Sequence, residues 1–145
     1  MTSNYQIALN KKLFVSVEPK KLKKSHIDSK IRNAILKINL SDWIWTLWSC
    51  QGHIHKNQFK SMTYISFCCL KGSETKLITK VYESIEKFHL QLSDENSKRR
   101  DIAVEFTFNY FDEHFTKINL YFPNINNQEC INNNIKIINL IADSL

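Results

Sequence analysis

The stretch Ile102-Ala103-Val104-Glu105-Phe106-Thr107-Phe108-Asn109-Tyr110 alternates without a break. Ile102, Val104, Phe106, Phe108 and Tyr110 fall on one side; Ala103, Glu105, Thr107 and Asn109 fall on the other. Successive side chains of a strand point to opposite faces, so this period of two predicts a strand with one buried face. Residues 115–122, Phe-Thr-Lys-Ile-Asn-Leu-Tyr-Phe, follow the polar turn Asp112-Glu113-His114 and return as a hairpin partner. Pro123 and the asparagines behind it stop that strand. The hairpin makes the sheet at least partly antiparallel.

On either side of it the period changes to that of a helix. Leu77, Val81, Ile85, Phe88 and Leu92 form an apolar stripe behind Gly72, Ser73 and Glu74, a turn and a helix start. Ile131, Ile135, Ile138 and Ile141 or Ala142 give a last helix over about residues 127–143, despite asparagines that are poor helix formers. Ile27, Ile31, Ile35 and Ile38 give a first helix over 26–39, with Ser25 and Asp28 as its capping pair and Asn39 or Ser41 as its exit. Residues 13–17 read as a short strand, 43–48 as an aromatic strand and 62–70 as another. The order is β-α-β-β-α-β-β-α. It implies an α+β, two-layer sandwich, with a mainly antiparallel sheet and helices on one face, a relative of the ferredoxin-like layout. Aromatic residues remain for the second sheet face, as a dimer interface or a ligand platform, unless the last helix or the N-terminal segment covers it.

At 145 residues, 43% of them hydrophobic, residues 1–145 read as one domain with a real core. No window approaches the roughly 20 apolar residues of a membrane span, and the first residues lack signal-peptide character, so the expected location is cytoplasmic. Four cysteines, with Cys68 and Cys69 adjacent and so on opposite faces of a strand, do not form a disulfide framework. The formal charge is +6, concentrated at Lys11, Lys12, Lys20, Lys21, Lys23 and Lys24 and again at Lys98, Arg99 and Arg100. Such clusters are solvated loops or a footprint for polyanions.

The chain has two glycines where about ten are usual for this length. One lies in Cys50-Gln51-Gly52-His53-Ile54-His55, between two strands and at the head of a long polar loop running to residue 61. A residue used so sparingly belongs where φ is positive or the backbone is approached closely. Three kinds of chemistry fit. Cys50, His53 and His55 are competent zinc ligands, enough for a three-ligand site with an open position, while a closed site needs a fourth from His26, His89, His114 or Cys130. Cys50 beside an imidazole is also a candidate nucleophile, although no orienting carboxylate can be assigned. A glycine turn after a strand can aim N–H groups at a phosphate, with His53, His55, Lys56 and Lys60 adding donors and charge. A plain tight turn remains the fourth reading.

Trp48-Ser49-Cys50-Gln51-Gly52-His53, followed by Thr63-Tyr64-Ile65-Ser66-Phe67, resembles a motif of small uncharacterised bacterial and phage proteins. In these a strand ends in Ser-Cys-x-Gly-His and a Tyr-Ile-x-Phe strand follows. The resemblance covers residues 31–67 and implies a fold and three positions, Cys50, Gly52 and His53, but no reaction. Ser41-Asp42 stands where such proteins often have glycine.

The expectation is a small binding protein whose Cys50–Lys60 loop, with Cys50, Gly52, His53, His55, Lys56 and Lys60, takes an anionic ligand, a nucleotide or a nucleic acid. Trp43, Trp45, Trp48 or Tyr64 would stack a base. The alternatives are a phage-type inhibitor or other interaction protein acting on a host factor, and a zinc- or cysteine-dependent enzyme centred on Cys50 and His53. A protein partner or homodimer is compatible with each. No Gly-rich phosphate loop, nucleophile elbow or paired-carboxylate helix is present.

Overall fold

The computed structural model describes residues 27–55, 60–92, 102–111 and 113–145. The expected strand at 13–17, both basic clusters, Ser25, His26 and Lys56 lie outside the described residues. The described chain runs α1 (Arg32–Ile38), β1 (Ile44–Cys50), β2 (His53–Ile54), β3 (Lys60–Ser61), β4 (Thr63–Leu70), α2 (Glu74–Leu90), β5 (Glu105–Tyr110), β6 (Phe115–Phe122) and α3 (Gln128–Ser144). It is an α+β fold. Four strands form one sheet in the order β1-β4-β6-β5, with every neighbour antiparallel. β5 therefore runs parallel to β4, two positions across, and α2 carries the chain between them.

Alternation assigns the two faces. Ile65, Phe67 and Cys69 of β4, Ile118, Leu120 and Phe122 of β6 and Ile44 of β1 are fully buried in one cluster with the helical stripes. Those stripes are Ile31, Ile35 and Ile38 of the α1 region, Leu77, Val81 and Phe88 of α2, and Ile131, Ile138 and Ile141 of α3. α3 packs against both α1 and α2, which explains why Ile137 and Asn133, off its main stripe, are buried too. On the opposite sheet face Trp45, Cys68 and Phe115 make a smaller cluster, with the Trp45 and Phe115 rings edge to face at 4.6 Å. Cys68 and Cys69 thus divide between the faces as the period of two requires.

Two local readings change. α1 begins at Arg32 with Ile31 at its N-cap and no capping side chain. Asp28, expected to cap it, turns its carboxylate to the Gln51–His53 turn instead. The polar stretch after Cys50 is not all loop: His53 and Ile54 pair with Ser61 and Lys60 in a short antiparallel ladder. Of the two remaining helix starts, one is capped by a side chain, while the cap expected from Ser73 does not form. Asn127 caps α3, its side chain accepting from the Cys130 N–H at 2.9 Å. Ser73 occupies the α2 N-cap without a side-chain bond, and Glu74 accepts from Gly72 N–H at 2.8 Å and from Thr116 Oγ1 at 2.7 Å.

Asn39, the exit of α1, ties that helix to β1. Its Nδ2 donates to Ile35 O and to Thr46 Oγ1, both at 2.7 Å, and its Oδ1 accepts from Thr46 N–H at 2.9 Å. The register of β1 on β4 shifts between Thr46 and Trp48, so this side chain serves the backbone beside a bulge. Asn39→Ala leaves the buried Thr46 N–H without its acceptor. A loss of about 2 kcal/mol is expected in denaturant melts.

Cys69 supplies a pH test of the core. Burial, followed by the charge of Glu74, pushes its thiol up to about 12 from an ordinary value near 9. Between those values the unfolded chain gives up the thiol proton and the folded chain keeps it. Stability therefore falls as pH rises through that window, by at most about 1.4 kcal/mol per pH unit. Cys69→Ala is expected to flatten this part of the alkaline slope relative to wild type in paired denaturant melts.

Candidate metal centre

β1 ends at Cys50, and the chain turns through Gly52 at φ +91°. A Cβ on Gly52 would stand 2.5 Å from Thr63 Oγ1 and 3.4 Å from both Ile131 Cγ1 and Ser61 O. Glycine is needed there for both reasons that its scarcity suggested. Thr63 Oγ1 in turn donates to Gln51 O at 3.0 Å and accepts from Asn134 Nδ2 at 3.2 Å. Asn134 also donates to Asn124 O at 3.1 Å. A buried asparagine of α3 thus anchors the turn through one hydroxyl.

The turn is laced from the other side to the segment preceding α1. Asp28 Oδ2 accepts from Gln51 N–H at 2.9 Å and lies 3.2 Å from His53 Nε2. Lys30 N–H donates to Gln51 Oε1 at 3.1 Å. Gly52 N–H points at Cys50 Sγ, 3.5 Å away. As a result the Asp28 carboxylate, the Cys50 sulfur and a ring nitrogen of His53 each lie within 4.8 Å of the other two. All three residues are partly buried.

The electrostatics follow from that proximity. Burial pushes the Cys50 thiol up; the Gly52 N–H opposes the shift, and the charge and hydrogen bonding of Asp28 add to it. Tyr64, directly across the ladder from Cys50, is raised by burial and then by the charges of Cys50, Tyr121 and Asp28.

Of the residues singled out by sequence, Cys50, Gly52 and His53 come together. His55 is adjacent but exposed: its ring is 5.9 Å from that of His53, and its Nε2 is 3.0 Å from Ser61 Oγ. Lys60 turns away and donates to Asn126 O at 3.0 Å. The residue hidden from the sequence is Asp28, whose position reads there as a helix cap. Thr63 and Asn134 carried no sequence signal beyond being polar at buried positions.

From this corner the second sheet face extends in rows, because antiparallel partners share a face. The first row reads Cys50, Tyr64, Tyr121, Glu105, and the next Trp48, Ser66, Asn119, Thr107. The Tyr64 and Tyr121 rings are 6.2 Å apart. Ser66 Oγ donates to Asn119 Oδ1 at 2.5 Å, and Asn119 Nδ2 donates to Thr107 Oγ1 at 3.0 Å. Lys117 Nζ sits 4.8 Å over the Trp48 ring. This half of the face is aromatic and polar, unlike the core side.

Comparison with protein-family models, with curated proteins and with solved structures finds no match to this chain. No helix among the described residues is long and apolar enough to cross a membrane.

Proposed function

We propose that the protein is a metal-centred binding protein in which Asp28, Cys50 and His53 hold a zinc-class divalent ion and leave a fourth position open to a ligand or water. The observation that carries this reading is the convergence of sulfur, nitrogen and oxygen donors within 4.8 Å from two segments far apart in sequence. Three mixed donors with an open position are the pattern of zinc sites that act on something, whereas closed four-ligand sites are structural. Tetrahedral zinc with donors at about 2.0–2.3 Å needs them somewhat under 4 Å apart, so side-chain adjustments of roughly 1 Å suffice. A thiolate and a carboxylate neutralise the charge of the ion, which favours water or a neutral donor in the open position.

The same geometry weighs against a phosphate in the turn. Gln51 N–H already donates to the Asp28 carboxylate and Gly52 N–H points at sulfur, so the chain supplies its own anion there. It also weighs against a free nucleophilic thiol, which works through a lowered pKa. A metal ion removes that obstacle by displacing the thiol proton itself. The reading is tested by loading the purified protein with zinc, dialysing, and counting metal per chain. One ion per wild-type chain and none in Cys50→Ser is expected. A wild-type chain that retains no zinc overturns the proposal.

One observation favours a second ligand class. The row of Tyr64 and Tyr121 beside the site, with Trp48 and Lys117 one step on, is a surface on which a nucleobase would stack. Under this reading a short single-stranded oligonucleotide binds in a salt-dependent manner and Tyr121→Ala weakens it. Absence of binding at low salt rejects it.

A further inference from the structure

Among the described residues the two ends of the sheet differ. β1 carries a register shift at Thr46 to Trp48, and its Thr46 N–H is taken by Asn39. β5 lies at the other edge, and among the described residues no strand pairs with its outer side. Its register on β6 runs unbroken from Glu105 to Tyr110. Proteins usually blunt such an edge with lysine, proline, a bulge or a very short strand. β5 has six residues, no proline and no bulge, and neither lysine nor arginine, in a chain that carries 20 of those basic residues.

The side chains on this strand are not those of a protected edge either. Phe106 and Phe108 pair with Leu120 and Ile118 and so point to the helical side. Phe108 is nevertheless 51% exposed and Tyr110 78% exposed. The Phe106 and Phe108 rings stack with centroids 6.4 Å apart. Thr107 and Asn109 line the other face.

We propose that β5 pairs antiparallel with β5 of a second copy of this chain, joining two four-stranded sheets into one of eight strands. The strand is self-complementary for that purpose. A two-fold axis beside Phe108, midway between the two strands and perpendicular to the sheet, keeps both copies the same way up. It sets Phe108 opposite its copy, Phe106 opposite Tyr110, and Thr107 opposite Asn109. Aromatic residues then meet aromatic residues on the helical side, and a hydroxyl meets an amide on the other. Glu105, the one charge on the strand, falls outside the facing pairs, so no like charges oppose each other. The candidate metal centre lies at β1, separated from β5 by β4 and β6.

The test is sedimentation of wild type and of Phe108→Lys, together with mild oxidation of Phe108→Cys. Wild type is expected to sediment at twice the 17.1 kDa chain mass, and Phe108→Lys at the chain mass with unchanged circular dichroism. Phe108→Cys is expected to form a disulfide-linked dimer rapidly, because residues beside the axis bring their Cβ atoms within bridging range. Tyr82→Cys, exposed on α2, controls for random collision. A wild-type monomer at the highest soluble concentration overturns the proposal. So does a Phe108→Lys dimer, or a Phe108→Cys crosslink no faster than that of Tyr82→Cys.

Discussion

Gly52→Ala is expected to destabilise the protein by about 3 kcal/mol, combining backbone strain with an overpacked contact. The φ of +91° is a conformation that L side chains rarely adopt, and the new Cβ meets Thr63 Oγ1 at 2.5 Å. Thr63 cannot swing aside freely, because its hydroxyl is held by Gln51 O and Asn134 Nδ2. Gly72→Ala is the internal control. Its φ is +96° but nothing lies within 4 Å of the added Cβ, so only the conformational cost remains, about 1–2 kcal/mol. Thr63→Ala in the Gly52→Ala background should recover part of the loss. Denaturant melts of the four proteins decide it: equal effects at the two glycines would mean that the Thr63 contact carries no weight.

The second large effect concerns affinity rather than stability. Cys50→Ser, His53→Ala and Asp28→Ala each remove or replace one strong donor of a three-donor site and are expected to weaken zinc binding by a hundredfold or more, beyond what outer partners contribute. Cys50 and His53 stand at a partly exposed corner, so their removal should leave the melt of the metal-free chain nearly unchanged. Asp28→Ala should cost the metal-free chain more, since it also leaves the Gln51 N–H without its acceptor. Zinc added at a thousand times its dissociation constant stabilises wild type by about 4.1 kcal/mol, and the variants far less at the same concentration. Calorimetric titration and thermal melts with and without zinc read both quantities.

Much of this architecture was legible from residue order. The alternation at residues 102–110, the return at 115–122 and the helical stripes at Leu77–Val81 and Ile131–Ile135 each state a period that only one element satisfies. The adjacent Cys68 and Cys69 mark a strand buried on both sides. The scarcity of glycine pointed to the turn at Gly52, and the structure supplies both reasons for it. Asp28 was not legible as a site residue, because a carboxylate three residues after a serine and ahead of an isoleucine stripe also reads as a helix cap. Only the fold brings it to His53, 25 residues later. The short ladder of His53 and Ile54 with Ser61 and Lys60 was hidden for another reason: two residues are too few to show a period. The asparagines of the last helix looked like weak helix formers, yet Asn134 and Asn139 spend their amides on backbone carbonyls, and Asn134 also on Thr63.

Cobalt(II) titration of the metal-free protein tests the central claim most directly, since cobalt adopts zinc geometry and reports its ligands by absorption. The account predicts saturation at one ion per chain, visible bands of a tetrahedral centre and a thiolate-to-cobalt charge-transfer band that disappears in Cys50→Ser. Weak absorption of octahedral cobalt with no thiolate band, unchanged by Cys50→Ser, would contradict it.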